Sequence, residues 1–146
     1  MQNHVPTKEN CLALDKALKA KGMKPMETMF FGNKNPSVKN IFSKKEVEQC
    51  AEKYDDLGYD CNLSSWNFVP APLVSELGEV LPFSIEAVGE FYYLTIDKAR
   101  DYWHINYEDT DGVTLFKDTG LFTAPTEADA RCLCLVYLIN NDLLTN

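Results

Sequence analysis

The sequence predicts a single α+β domain: an antiparallel sheet of three or more strands, arranged as a C-terminal meander, with helices packed mainly on one face. Three patterns support this fold class. Apolar residues recur at helical spacing before residue 60, alternate with polar residues from 90 to 117, and return at helical spacing after 126. A chain of 146 residues, 45% of them hydrophobic, has the size of one domain and can build a core without disulfides or metals.

The N-terminal part, residues 1–60, is predicted to be mainly helical. Its first helix is expected from Lys8 to Lys21, because Thr7 can cap the start and Gly22 follows the end. One side of this helix carries an apolar stripe, formed by Cys11, Leu14 and Leu18. That stripe is expected to face the core.

A second helix is predicted from Ser43 to Gly58, where Ser43 and Glu46 match the capping-box pattern. Between the two helices, "METMFF" at 26–31 indicates a short strand. The following "GNKNPS" at 32–37 indicates a turn, since a residue before proline disfavours helix.

Residues 60–90 are predicted to form an irregular connection, because prolines interrupt any long element: Pro70, Pro72 and Pro82. The prolines leave room only for a short helix from about Leu73 to Leu77. Trp66 and Phe68 indicate that the connection packs against the rest of the domain.

Residues 90–146 are predicted to form the meander and a final helix. The three strands are expected at Glu90–Ile96, Tyr102–Glu108 and Val113–Lys117. Alternation places one apolar set on the face that a helix should cover: Tyr92, Leu94, Ile96, Trp103, Ile105, Tyr107, Val113 and Leu115.

The last helix is predicted from Glu127 to Asn140, with Thr126 as its cap. Its middle is apolar almost all round, which indicates burial on several sides. Either the earlier helices cover it within a monomer, or a second copy covers it in a homodimer.

The segment "YEDTDGVTL" at 107–115 resembles a calcium-binding loop. With Gly112 at the glycine position of such a loop, Tyr107 replaces the first acidic ligand and Asp118 replaces the final glutamate. The flanking residues also alternate like strands, where a calcium hand needs helices. We therefore interpret Asp109 to Gly112 as a hairpin turn and predict no metal site there.

The net charge of −8 is distributed unevenly along the chain. Residues 1–45 carry nine lysines and three acids, a balance of +6, whereas residues 46–146 carry five basic and nineteen acidic residues, a balance of −14. The basic part has no arginine, so nucleic acid is not an expected partner. Instead, the basic part is expected to pack on or near the acidic part, so that the two neutralise each other. Under the interaction hypothesis, the acidic part would attract a basic protein.

Cysteine usage and the absence of familiar motifs narrow the classes of function. The five cysteines are odd in number and form no CxxC pair, which predicts reduced thiols in a cytoplasmic protein. The segment MQNHVPTKENC lacks the apolar core of a signal peptide, and no apolar run in the sequence is long enough to cross a membrane, so a soluble, intracellular protein is expected. No zinc, phosphate-loop, dinucleotide or hydrolase motif is present, so no cofactor is predicted.

The second face of the meander carries the candidate binding residues: Tyr93, Tyr102, His104, Asn106 and Phe116. A sheet face that is open to water does not usually carry so many aromatic residues. Either the segment around Trp66 and Phe68 covers this face, or the face binds a partner. His104 is also the central histidine that a cysteine nucleophile would need nearby.

The stretches "WHINYEDTDG" and "TEADARCLCLVYLINNDLL" resemble small proteins encoded in bacterial genomes and prophages. In those proteins an aromatic hairpin is followed by a helix of similar pattern. The resemblance covers the C-terminal third and implies an α+β domain of phage-like origin. It implies no catalytic residue.

Two functions compete on this sequence. The first is a non-enzymatic protein–protein interaction module with a basic partner, favoured by aromatic residues on an acidic sheet. The alternative is a small-molecule-binding protein or an enzyme with a pocket near His104. A deep pocket there would favour the ligand, whereas a flat, exposed aromatic face would favour the protein partner.

Overall fold

The computed structural model describes residues 5–24, 26, 29–31, 41–43, 45, 48–49, 69–118 and 120–144. Within these ranges the chain has an α+β fold with antiparallel strands, as predicted. Its helices are α1 (Lys8–Ala20), α2 (Val74–Val80) and α3 (Glu127–Asn140). Its strands are β1 (Met29–Phe31), β2 (Ile41–Ser43), β3 (Val69–Ala71), β4 (Ser84–Ala87), β5 (Glu90–Lys98), β6 (Trp103–Glu108) and β7 (Thr123–Ala124).

The described strands form a smaller and a larger sheet. The smaller sheet has the order β2-β1-β3, and the strand predicted within "METMFF" is its centre. The larger sheet has the order β4-β5-β6-β7, in which each strand pairs with its neighbour in the chain. Ile96 lies opposite Ile105 in the central pair, so the predicted hairpin of β5 and β6 is confirmed.

Helix α3 is the centre of the core. It contacts α1, α2 and the inner side of the larger sheet through β6 and β7. Its sequence is apolar on several sides because each side meets one of these neighbours, and Cys132, Leu135 and Leu138 are fully buried. The chain itself therefore covers these sides of α3. Neither α3 nor any other helix in the described ranges is long and apolar enough to span a bilayer.

The start of α1 is tied to the start of α3. Thr7 caps α1 as predicted, since its hydroxyl accepts a hydrogen bond from the Asn10 amide at 3.5 Å. The buried carboxylate of Asp129, in the first turn of α3, accepts hydrogen bonds from the Thr7 N–H and from the Asn10 side chain, both at 2.7 Å. It also accepts one from the Thr126 hydroxyl at 2.9 Å. One carboxylate thus joins two helix N-termini, where the helix dipoles favour negative charge.

The prediction of an irregular connection over 60–90 is wrong in its described part. Residues 69–87 contain β3, α2 and β4. Proline is compatible with β3 because Pro70 lies in a short edge strand of the smaller sheet. The predicted short helix is present and continues to Val80. The cover proposed around Trp66 and Phe68, the turn at 32–37 and most of the helix predicted from Ser43 to Gly58 lie outside the described residues.

The predicted third strand, Val113–Lys117, is also wrong. Only Thr114 forms an isolated bridge with Glu108, and Val113 is exposed. After the Leu115 N–H donates to the Tyr107 carbonyl, the chain leaves the sheet, and β7 takes the place beside β6. The turn before this point is confirmed: Gly112 has a φ of 79°, and the Asp109 carboxylate accepts from the backbone amides of Asp111 and Val113.

The hairpin of β4 and β5 has an unfavourable residue at its tip. Val88 and Gly89 both have positive φ, 54° and 79°, as a two-residue hairpin turn requires. A β-branched side chain is costly there, and Val88 is 99% exposed, so packing does not compensate.

Replacing Val88 by asparagine is therefore expected to raise the free energy of unfolding by about 1 kcal/mol, measured by urea denaturation. Gly89→Ala is the matched control, and it should lower the stability because alanine would have to adopt the φ of 79°. A V88N protein no more stable than the parent would contradict this turn geometry.

Candidate functional site

The candidate site lies on the outer face of the larger sheet, the face turned away from α3. Residues of the inner face, including Ile85, Leu94, Ile96 and Ile105, belong to the core. Alternation and strand register place these residues on the outer face: Ser84, Glu86, Phe91, Tyr93, Thr95, Asp97, His104, Asn106, Glu108 and Thr123.

Four aromatic side chains are exposed on or beside this face, and we call them the aromatic strip: Phe83, Phe91, Tyr93 and Tyr102. Their exposed fractions are 75%, 56%, 39% and 48%, respectively. Phe83 and Tyr93 contact each other edge to face, with 5.9 Å between ring centroids. The strip is therefore an exposed aromatic surface in which two of the rings contact each other. Exposed apolar surfaces of this kind commonly mark interaction sites.

Carboxylates accompany the rings on the outer face. Cross-strand register places Glu86 opposite Phe91, Glu108 opposite Tyr93, and Asp97 opposite His104. None of the outer-face positions in β4 to β7 holds a lysine or arginine. Among the described strand positions, the face therefore combines π-systems with negative charge, a chemistry suited to cations.

One end of the outer face contains a cavity of about 440 Å³. It is lined by Asp97, Lys98, Ala99, Tyr102, His104, Gly120 and Thr123. The half-buried His104 ring lies in its wall, with Nδ1 at 3.1 Å from the Thr123 hydroxyl oxygen. The hairpin register of β5 and β6 brings Asp97 beside this ring, and β7 brings Thr123 to its other side.

The predicted binding residues separate into two groups. Tyr93 and Tyr102 are exposed, and His104 lines the cavity, as a binding role requires. Asn106 is buried, and Phe116 is half-buried against the core, which corrects their predicted exposure.

Asn106 is 1% exposed although its register position is on the outer face. Its side chain donates to the Phe116 carbonyl at 3.2 Å and accepts from the Tyr107 N–H at 2.8 Å. Phe116 packs edge to face against Phe122 and Tyr137 in the core. The exposure of both residues was wrongly predicted because the segment after residue 113 folds across the sheet edge instead of extending as a strand.

Sequence reasoning missed Phe83, Asp97 and Thr123 as site residues. Phe83 directly precedes β4, and alternation with Ile85 would have placed it on the inner face, so no local pattern indicated its exposure. Asp97 could have been found, because it continues the alternation of Phe91 and Tyr93 along β5. Thr123 reaches His104 only through the pairing of β6 with β7, which no local pattern indicates.

The described cysteines are not placed to act with His104. Cys11, Cys132 and Cys134 are buried in α1 and α3, on the opposite side of the sheet from the outer face. Burial raises the pKa of Cys134 to about 12 and that of Cys11 to about 12, with the Asp129 charge adding to the effect on Cys11. These thiols therefore stay protonated and are poor nucleophiles. Within the described ranges, no group of three His, Cys, Asp or Glu side chains could hold a metal ion.

Comparison with known proteins assigns no family, since no family model, curated protein or solved structure matches this chain. The resemblance of the C-terminal third to small bacterial and prophage proteins stays a prediction. The function is therefore argued from the geometry of the outer face.

Proposed function

We propose that the protein is a non-enzymatic protein-binding module that captures a basic protein partner on its outer face. The observation that carries this proposal is the exposed aromatic strip beside cross-strand carboxylates. Tyrosine and phenylalanine are typical anchors of interfaces, because each can bury a large area with little loss of side-chain entropy.

The size of the surface suits a partner of protein dimensions. Along β5, outer-face positions run from Phe91 to Asp97, a distance of about 20 Å at the usual rise of a strand. Phe83, just before β4, and Tyr102, just before β6, extend this surface beyond β5. A surface of this length is long enough to form one side of an ordinary protein interface, which buries roughly 800 Å² per partner.

Charge supports a basic partner over an acidic one. Glu86, Asp97 and Glu108 share the outer face, and the chain from residue 46 onward has a balance of −14. Attraction between the acidic face and a basic partner would accelerate their association. Because salt screens this attraction, binding should be weaker at high salt.

The test is affinity capture from a lysate of the source cells at low and high salt, followed by titration of the captured partner. Replacing Tyr93 and Tyr102 together by serine should weaken that partner's affinity by at least about 30-fold, because both anchors are lost while the core is untouched. Circular dichroism should show an unchanged fold.

The matched control is Leu12→Ser, which removes an exposed apolar side chain from α1, a helix that packs on α3 behind the sheet. It should bind like the parent. Equal binding by the parent and the Tyr93/Tyr102 variant, or unfolding of that variant, would contradict the proposal.

The second candidate function is binding or turnover of a small molecule in the cavity beside His104. Its volume of about 440 Å³ is in the range of ligand sites, and the His104–Thr123 contact joins an imidazole to a hydroxyl. A small metabolite that raises the melting temperature of the parent but not of a Thr123→Val variant would favour this alternative.

A further inference from the structure

The cavity beside His104 lies at one end of the outer face, where the strip ends at Tyr102. The residues that line the cavity differ from those of the rest of the aromatic strip. Tyr102, Asp97, His104 and Thr123 all line one space. This combination brings an aromatic residue and a negatively charged residue to one occupant.

The lysine that lines the cavity belongs to the inner face of the sheet. Lys98 lines the cavity, but its ammonium lies 5.3 Å from the centroid of the Trp103 ring. Trp103 belongs to the inner face and packs against the core. Lys98 is also the direct cross-strand partner of Trp103, so its side chain points away from Asp97.

We infer that this cavity receives one arginine side chain of the basic partner, an inference that rests on the proposed protein-binding function. A guanidinium group can stack on the Tyr102 ring while donating two parallel hydrogen bonds to the Asp97 carboxylate. Arginine fits better than lysine because its planar group serves the ring and the carboxylate together, and because it is less strongly hydrated than ammonium.

The volume of the cavity is compatible with this occupant. About 440 Å³ exceeds the needs of a guanidinium and leaves room for the aliphatic stem and bridging water. The rest of the partner would then lie along Tyr93 and Phe91. The inferred site is thus the specificity pocket of the outer face, and the strip is its main contact area.

The experiment uses the full chain, isotopically labelled, titrated with N-acetyl-arginine amide and observed by NMR. N-acetyl-citrulline amide, which has nearly the same shape without the charge, and N-acetyl-lysine amide serve as comparison probes. Arginine should shift amide signals of residues 97–104 and 120–123, lysine should bind more weakly, and citrulline should cause no comparable shift.

Asp97→Asn should weaken arginine binding by about tenfold, because the charge-assisted hydrogen bonds are lost. Asp97 is exposed, so this variant is expected to fold. Asp101→Asn changes an exposed acid of the same hairpin that does not line the cavity, and it should leave the affinity unchanged.

Equal shifts with citrulline, shifts scattered over the surface, or equal loss in D97N and D101N would overturn the arginine site. The two proposals fail separately. A captured partner whose affinity is unaffected by D97N would remove the arginine site and leave the protein-binding function. Localised arginine binding without any partner sensitive to Tyr93 and Tyr102 would remove the function and leave a site for a free guanidinium compound.

Discussion

Replacing Asp129 by alanine is expected to lower the free energy of unfolding by about 3–4 kcal/mol. The carboxylate is 4% exposed and accepts three hydrogen bonds from Thr7, Asn10 and Thr126. Alanine would leave these donors unpaired at a site that admits little water, and it would remove the negative charge shared by the N-termini of α1 and α3. Urea denaturation followed by circular dichroism measures the change.

Asp101→Ala is the matched control for this substitution. Asp101 is an exposed acid in the loop between β5 and β6, and surface substitutions of this kind change the free energy of unfolding by less than about 0.5 kcal/mol. The same chemical change should therefore have a small effect there. A loss below about 1 kcal/mol in D129A would contradict the role assigned to the shared carboxylate.

Replacing Asn106 by leucine is expected to cost about 2–4 kcal/mol of unfolding free energy. Asn106 stands where β6 lacks a continuous neighbour, between the bridge at Thr114 and the start of β7. Its amide satisfies the Tyr107 N–H and the Phe116 carbonyl, two backbone groups that would otherwise lack partners. Leucine has a similar volume but cannot form either hydrogen bond.

Asn140→Leu, at the exposed end of α3, is the control and should change the stability by less than about 0.5 kcal/mol. Thermal and urea unfolding of both variants would measure the difference. If N106L were as stable as the parent, the sheet edge would not depend on this side chain.

The N106L variant and the Tyr93/Tyr102 variant separate structure from function on the same sheet. Asn106 and Phe116 hold the segment that crosses the sheet edge, so changes there should act through stability. Tyr93 and Tyr102 are exposed, so changes there should act on binding alone. A candidate site defined only by alternation mixes the two kinds of residue.

The sequence by itself determined the elements whose signals are local. Thr7 caps the start of helix α1, and Gly22, which has a positive φ, follows its end. The hairpin of β5 and β6 follows from alternation, and the turn at Asp109 to Gly112 follows from short side chains that bond to their own backbone. Periodicity and capping depend on neighbours a few residues apart, and a single sequence contains that information.

Only the tertiary structure decided which parts of the sheet edge are paired and which aromatic residues are exposed. Strand β4 forms because Ile85 reaches Tyr92 across a hairpin, although Pro82 lies just before it. Strand β7 displaces the predicted strand after Val113, since Phe116 gains more by packing against Phe122 and Tyr137 than by extending the ladder. The cavity likewise needs Asp97, His104 and Thr123 from three strands. Such choices depend on burial against residues distant in the chain, which local patterns do not encode.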